Sequence, residues 1–186
     1  MTIAARQTER VTRVFLLADQ EAARGGDARV RTVHLLLALA REERDRGGGL
    51  GGGLLDPLDL DDVRAEAAIR FRGVGWTGRR PYSPGAVAAL DAAVRVADES
   101  ADPTLGVRHL LVAVLADDAE DAAQVLHACD VDVDRLRAGA RRELTADTSP
   151  RPYAAAGPVL PQLDRILDTL GRIDRRLGTL EGRAAT

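Results

Sequence analysis

Apolar residues recur along most of this chain at steps of three and four, with charged residues between them. Val11, Val14, Phe15, Ala18 and Ala22 form one such stripe, the period of an amphipathic helix. Val33 to Ala40 reads VHLLLALA. That run is too short to cross a bilayer and suits a helix buried on most sides. Thr32 stands where an N-cap is expected, with a hydroxyl oxygen for the orphan amides of that helix. Alternation with a period of two is scarce, so strands are not expected. The pattern predicts an all-α fold.

Glycine and proline punctuate it. Gly25-Gly26 ends the first helix, Gly47 to Gly53 reads GGGLGGG, and Val74 to Pro84 reads as a linker. Four of the eight prolines fall between Ser149 and Pro161. Between these breaks the chain repeats itself. With His34 set over His109, Phe15 meets Leu90, Ala18 meets Ala93, Ala22 meets Ala97, Asp27 meets Asp102 and Val30 meets Leu105. Past the glycine loop the register shifts by two, and LDLDDVRAEA from Leu58 matches VDVDRLRAGA from Val131. An insertion is tolerated best in such a loop. The expected architecture is two pseudo-symmetric four-helix repeats, about 8–72 and 83–145, packed as one bundle within 1–146. In the first copy the glycine loop replaces the short helix that AAQVLHAC (Ala122 to Cys129) forms in the second. Neither copy alone could bury its apolar faces.

A proline-rich linker (147–161) leads to a last amphipathic helix (162–182). Its stripe is Leu163, Ile166, Leu170, Ile173, Leu177 and Leu180, an a/d heptad pattern. So short a helix is marginal alone, so it should dock on the body, pair with itself as a homodimer, or enter a partner's groove. Gly171 and Gly178 weaken it.

Composition narrows the chemistry. The chain has 186 residues and a net charge of −3, and all 26 of its basic side chains are arginine. Without lysine there is no P-loop phosphate ligand, no Schiff base and no kinase lysine. One cysteine, Cys129, excludes a disulfide framework and a cysteine zinc site. The N-terminus has no apolar run of a signal peptide, and no stretch is long enough to span a membrane. The acidic balance argues against nucleic acid. A cytoplasmic protein is expected. His34 and His109 lack a companion at metal-ligand or catalytic spacing, and the expectation is that each bridges helix starts by donating to a carbonyl. His127 and Cys129 are two apart and point to different helix faces. The acidic runs Asp56–Asp62 and Asp117–Asp121 miss the calcium-loop spacing and read as N-caps. Trp76 and Tyr82 either plug the seam between repeats or form a peptide-binding platform. No catalytic residue, cofactor or metal site is expected.

The ordered pieces TERVTRVFLLADQEA, VRTVHLLLALARE, PYSPGAVAALDAAVRVADE, LGVRHLLVAVLAD and AAQVLHACDVDVDRLR, covering roughly Thr8 to Leu144, resemble the Clp N-terminal domain. That double-repeat module fronts the Clp/Hsp100 unfoldases. The resemblance implies recognition of adaptor proteins, unfolded segments and, in one branch, phosphorylated arginine. It also implies a free-standing domain without the motor, similar to ClpC2-type proteins of actinobacteria, a source that suits the arginine-only composition. In the phosphoarginine branch a Gly-Thr-Glu-His signature heads each HLL helix, and its glutamate holds the guanidinium. Here the copies read Arg31-Thr32-Val33-His34 and Gly106-Val107-Arg108-His109. Val33 cannot accept that hydrogen bond and Arg108 repels a guanidinium, which argues against recognition of that kind. Arg31 or Arg108 at a helix start could instead attract an anionic partner.

The candidate binding residues are therefore Arg31, Thr32, Val33, Trp76, Tyr82, Val107 and Arg108. The expected role is a non-enzymatic accessory or regulator of a Clp protease. It would bind Clp ATPase or protease components, adaptors, substrate peptides or Clp-directed cyclic-peptide antibiotics. The alternative is a helical scaffold or regulator acting through its last helix.

Overall fold

A computed structural model describes residues 7–46, 53–71, 75 and 78–146. The chain divides into two units, 1–148 and 149–186. The proline-rich linker and the whole Leu163–Leu180 stripe lie outside the described residues, as do Trp76 and most of the glycine loop.

The described residues form seven helices in order: α1 (Glu9–Arg24), α2 (Thr32–Arg46), α3 (Leu60–Arg70), α4 (Pro84–Glu99), α5 (Val107–Val114), α6 (Asp121–Ala128) and α7 (Val133–Ala146). The described residues hold no strand, only two isolated bridges. The fold is all-α, as the periodicity predicts. Helices α1 to α3 form repeat one and α4 to α7 repeat two. Where repeat two has α6, repeat one runs through the Gly53–Pro57 segment as a turn.

The helix starts follow from local chemistry. Thr8, Asp59 and Ser83 cap α1, α3 and α4 through side-chain oxygens. Pro84 opens α4, where its missing N–H costs nothing. Asp132 accepts from the Arg135 amide at the start of α7. The first acidic run supplies the Asp59 cap; in the second, Asp117 accepts from the Ala119 amide within the turn ahead of α6, and the N-cap Glu120 makes no side-chain cap of its own.

Helix α2 lies at the centre. It packs against α1, α3, α4, α5 and α6, and every residue from Thr32 to Ala40 is buried. Its counterpart α5 is equally enclosed from Leu110 to Val114. With Leu115, the residue that follows α5, they supply most of the largest buried side chains: Leu35, Leu36, Leu37, Leu39, Leu110 and Leu111. Burying one leucine contributes roughly 2 kcal/mol, so this pair accounts for much of the hydrophobic stabilisation.

The repeats also exchange backbone hydrogen bonds. Val30, just before α2, donates to the Pro81 carbonyl at 2.9 Å and accepts from the Ser83 amide at 2.8 Å. Leu105, the equivalent residue before α5, accepts from the Thr8 amide at 3.1 Å. Each repeat's lead-in segment thus pairs with the other repeat. Both bridges, Val30 with Tyr82 and Gln7 with Leu105, obey the same internal symmetry.

Candidate functional site

Thr32 does not cap its own helix; it is the first residue of α2. The cap comes from His34, whose Nδ1 accepts from the Arg31 amide at 3.0 Å. His109 does the same for the Gly106 amide, also at 3.0 Å. The expected donation to a carbonyl is therefore corrected: each histidine accepts from the backbone at its own helix start. The geometry has a physical reason. An imidazole three residues into a helix reaches back to the orphan amide, as a capping-box glutamate would. With Nδ1 accepting, the proton sits on Nε2, which lies 3.2 Å from Asp27 Oδ2 in repeat one and 3.7 Å from Asp102 Oδ2 in repeat two. Burial, reinforced by Arg31, lowers the His34 pKa to about 4, so this ring is neutral near pH 7. Burial pushes the Asp27 carboxyl up despite the opposing effect of Arg31.

The Thr32 hydroxyl serves the other repeat. It accepts from the Ala122 amide at 3.1 Å and donates to Glu120 at 3.4 Å. Helix α6 has no cap from its own N-cap side chain, so Thr32 supplies one from 90 residues away. The Glu120 carboxylate also lies over the first turn of α4, where Gly85 leaves room for it; a Cβ there would strike its carboxylate. An anion beside these helix starts is favoured by their dipoles. Arg31 closes the cluster. It pairs with Asp121 at 3.2 Å, approaches Asp27 at 3.7 Å and stacks 4.6 Å from the Phe71 ring centre. Val33 is fully buried. The head of α2 is thus filled by repeat two.

At the head of α5, Val107 is buried and Arg108 donates to the Glu143 carbonyl on α7 at 3.1 Å. Tyr82 is half-buried and meets Phe15 edge to face, ring centres 6.3 Å apart, in the seam between α1 and the lead-in to α4. Burial, then Asp19, raises its phenol pKa. The structure therefore separates the sequence-derived candidates. Arg31, Thr32 and Val33 form one inter-repeat lock, Val107 and Arg108 sit at the other helix head, and Tyr82 belongs to the seam.

Two equivalent grooves show where the repeats part company. In repeat one a cavity of about 270 Å³ lies among α1, α2 and α3, lined by Glu21, Arg24, His34, Leu37, Arg64 and Ala68. Glu21 is buried there at 3% exposure. Arg41 reaches it at 2.7 Å, Arg64 at 2.8 Å and Arg24 at 3.6 Å. Burial alone would raise Glu21, but the hydrogen bonds from Arg64 and Arg41 outweigh it and hold its carboxyl below the usual range. In repeat two the corresponding groove, among α4, α5 and α7, measures about 730 Å³. Its floor is Ala92, Val96, Val112, Ala113 and Leu144. Val96 stands in the place of Glu21, and Ala116 in the place of Arg41. The charges that fill one groove are absent from the other, which is open and largely apolar. Aligning the copies position by position carries that signal. Reading only their helix starts passes over it, and passes over Glu120 as well.

Comparison with known proteins agrees with this geometry. The family described as Clp repeat (R) N-terminal domain matches residues 81–181. The ATP-dependent Clp protease ATP-binding subunit ClpA homolog of Porphyra purpurea is 33% identical over 137 residues, which is 72% of this chain and 16% of that protein. The negative regulator of genetic competence ClpC/MecB of Bacillus subtilis (strain 168) is 28% identical over 135 residues, 71% of this chain and 16% of that protein. The chain thus spans about a sixth of the length of these relatives. Among solved structures, the N-terminal domain of the chaperone ClpD from Arabidopsis thaliana superposes with a TM-score of 0.63 at 26% identity. It covers 78% of this chain and 97% of that one. The Hsp104 N-terminal domain from Candida albicans gives 0.59 at 15% identity, a likeness of fold, covering 73% and 89%. Internal repeat, helix order and family match coincide, and the chain belongs to the Clp repeat N-terminal domain family.

Proposed function

We propose that this chain is a non-enzymatic recognition module of a Clp protease system, binding peptide segments of substrates or adaptors in the groove of repeat two. The observation that carries the reading is the asymmetry between the two grooves. One is plugged by Glu21 and its arginines; the other is a groove of about 730 Å³ lined by the half-buried Ala92, Val96 and Leu144. A groove of small and branched apolar side chains suits segments that unfolding exposes. The absence of catalysis is supported by His34 and His109, whose Nδ1 atoms are both committed to backbone amides and so unavailable as bases. The finer identity, a ClpC2-like protein of an actinobacterial source, rests on the arginine-only composition.

The test is fluorescence anisotropy with labelled apolar peptides. Ala116→Arg places at this exposed position the side chain that repeat one carries there, and a thermal melt checks that the fold is kept. It should weaken peptide binding about ten-fold or more. Unchanged binding in that variant would remove the groove from the reading.

Recognition of Clp-directed cyclic-peptide antibiotics is a second reading. It is supported by the Phe15–Tyr82 pair together with Leu16, which is 63% exposed on α1. Loss of such binding in Tyr82→Ala with peptide binding intact would separate the two surfaces. The scaffold alternative predicts that removing residues 161–186 abolishes all partner binding; the recognition reading predicts that peptide binding survives.

A further inference from the structure

The groove of repeat two differs from its twin in charge as well as in size. In repeat one Arg24, Arg41 and Arg64 all converge on Glu21. In repeat two the equivalents of Arg24, Arg41 and Ala68 are Glu99, Ala116 and Arg141. Arg137, the equivalent of Arg64, keeps the pair with Asp134 that Arg64 makes with Asp61, but in place of a buried carboxylate it meets the Leu115 carbonyl and Asp118. Glu99 reaches the groove from the end of α4, and Arg141 from α7. Both are exposed. Neither pairs with the other or with any other described residue. Among the described residues the groove therefore has an apolar floor and one uncommitted charge of each sign, carried on two different helices.

We propose that this groove selects a short apolar segment flanked by one acidic and one basic residue, the acid pairing with Arg141 and the base with Glu99. The inference rests on the groove reading above and adds its specificity. The floor supplies affinity without sequence preference, since small apolar side chains accept many partners. The two rim charges supply the preference. Their opposite signs reject segments flanked by two like charges, because one end then meets a like charge. Exposed ion pairs are individually weak, so the discrimination is modest, about five-fold for the correctly charged segment over an uncharged one. It falls with added salt.

The experiment uses the full chain and short fluorescein-labelled peptides with the same Leu-Val-Leu centre. The flanks are Asp with Arg in either order, two Asp, two Arg, or two Gln. Anisotropy should rank the Asp/Arg peptides tightest, by about five-fold over Gln/Gln, with the like-charged sets weakest. In Arg141→Gln, exchanging the peptide's Asp for Gln should no longer matter, while exchanging its Arg still does. Glu99→Gln should show the reverse. Both positions are exposed, so neither substitution disturbs the fold, and thermal melts check this. Equal affinity of the charged and Gln-flanked peptides for the unmodified chain would overturn the charge selection and leave the groove reading standing. So would an Arg141→Gln variant that weakens every peptide alike. Failure of every peptide in the set to bind the unmodified chain would overturn the groove reading itself.

Discussion

His34 shows how much one side chain can carry. Its ring caps α2 through Nδ1, faces Asp27 through Nε2 and is almost wholly buried. Its folded pKa, about 4, lies below the ordinary 6.5. As pH falls through that interval the unfolded chain takes up a proton that the folded chain refuses, so stability drops. The contribution is fully present above about pH 6.5 and lost by pH 4, with a limit of roughly 3 kcal/mol over the window. Asp27, raised by burial, works in the opposite sense and blunts the low end of the slope. Urea titrations from pH 7.5 to 4.5 should therefore show a decline that His34→Gln flattens. A pH-independent midpoint in the unmodified chain would contradict it. Glu21 makes a second residue-scale case. Glu21→Gln keeps the volume but leaves Arg24, Arg41 and Arg64 without their shared carboxylate. Removing one partner of a buried charge cluster costs about 3 kcal/mol, to be read from the shift in the denaturation midpoint.

Among the elements, α6 depends most on its neighbours. It has eight residues, too few to persist alone. Its first turn is held by the Thr32 hydroxyl from the other repeat. Thr32→Val keeps the shape and removes the cap, at an expected cost of about 1 kcal/mol. Amide exchange should accelerate first at Ala122 and Ala123, while α1 and α7 stay protected. A uniform acceleration across all helices would mean that Thr32 acts on global stability instead. Helix α2 itself was legible from its apolar run, and Asp59 was legible as a cap within its acidic run. The role of Thr32 was not. A hydroxyl at a helix start looks the same in sequence whether it serves its own helix or one 90 residues away.

At the scale of the molecule, the lead-in of each repeat pairs with the other, through Val30 with Tyr82 and Leu105 with Gln7. The central α2 packs against α4, α5 and α6 of the second repeat. A chain carrying only residues 1–78, or only 79–186, would leave α2 or α5 with half its neighbours missing. Each should show little cooperative unfolding alone, and mixing the two should restore it. Heteronuclear NMR of the separate and mixed fragments decides this; a well-dispersed spectrum from either fragment alone would refute it.

The all-helical character, the breaks and the doubled unit are local or periodic properties. They depend on side-chain spacing along the chain, and the sequence alone determined them. The family followed from the same repeat. What only the tertiary structure decided is where the two copies cease to be equivalent. In sequence, valine for glutamate at position 96 is one difference among many between diverged copies. In space it falls where three helices meet, so losing that carboxylate releases Arg137 and leaves a groove open. The head of α2, which looked like a binding position, is occupied by the opposite repeat, because Glu120 and Asp121 reach it only once the bundle closes. Contacts between residues far apart in the chain depend on packing, and no periodicity records them.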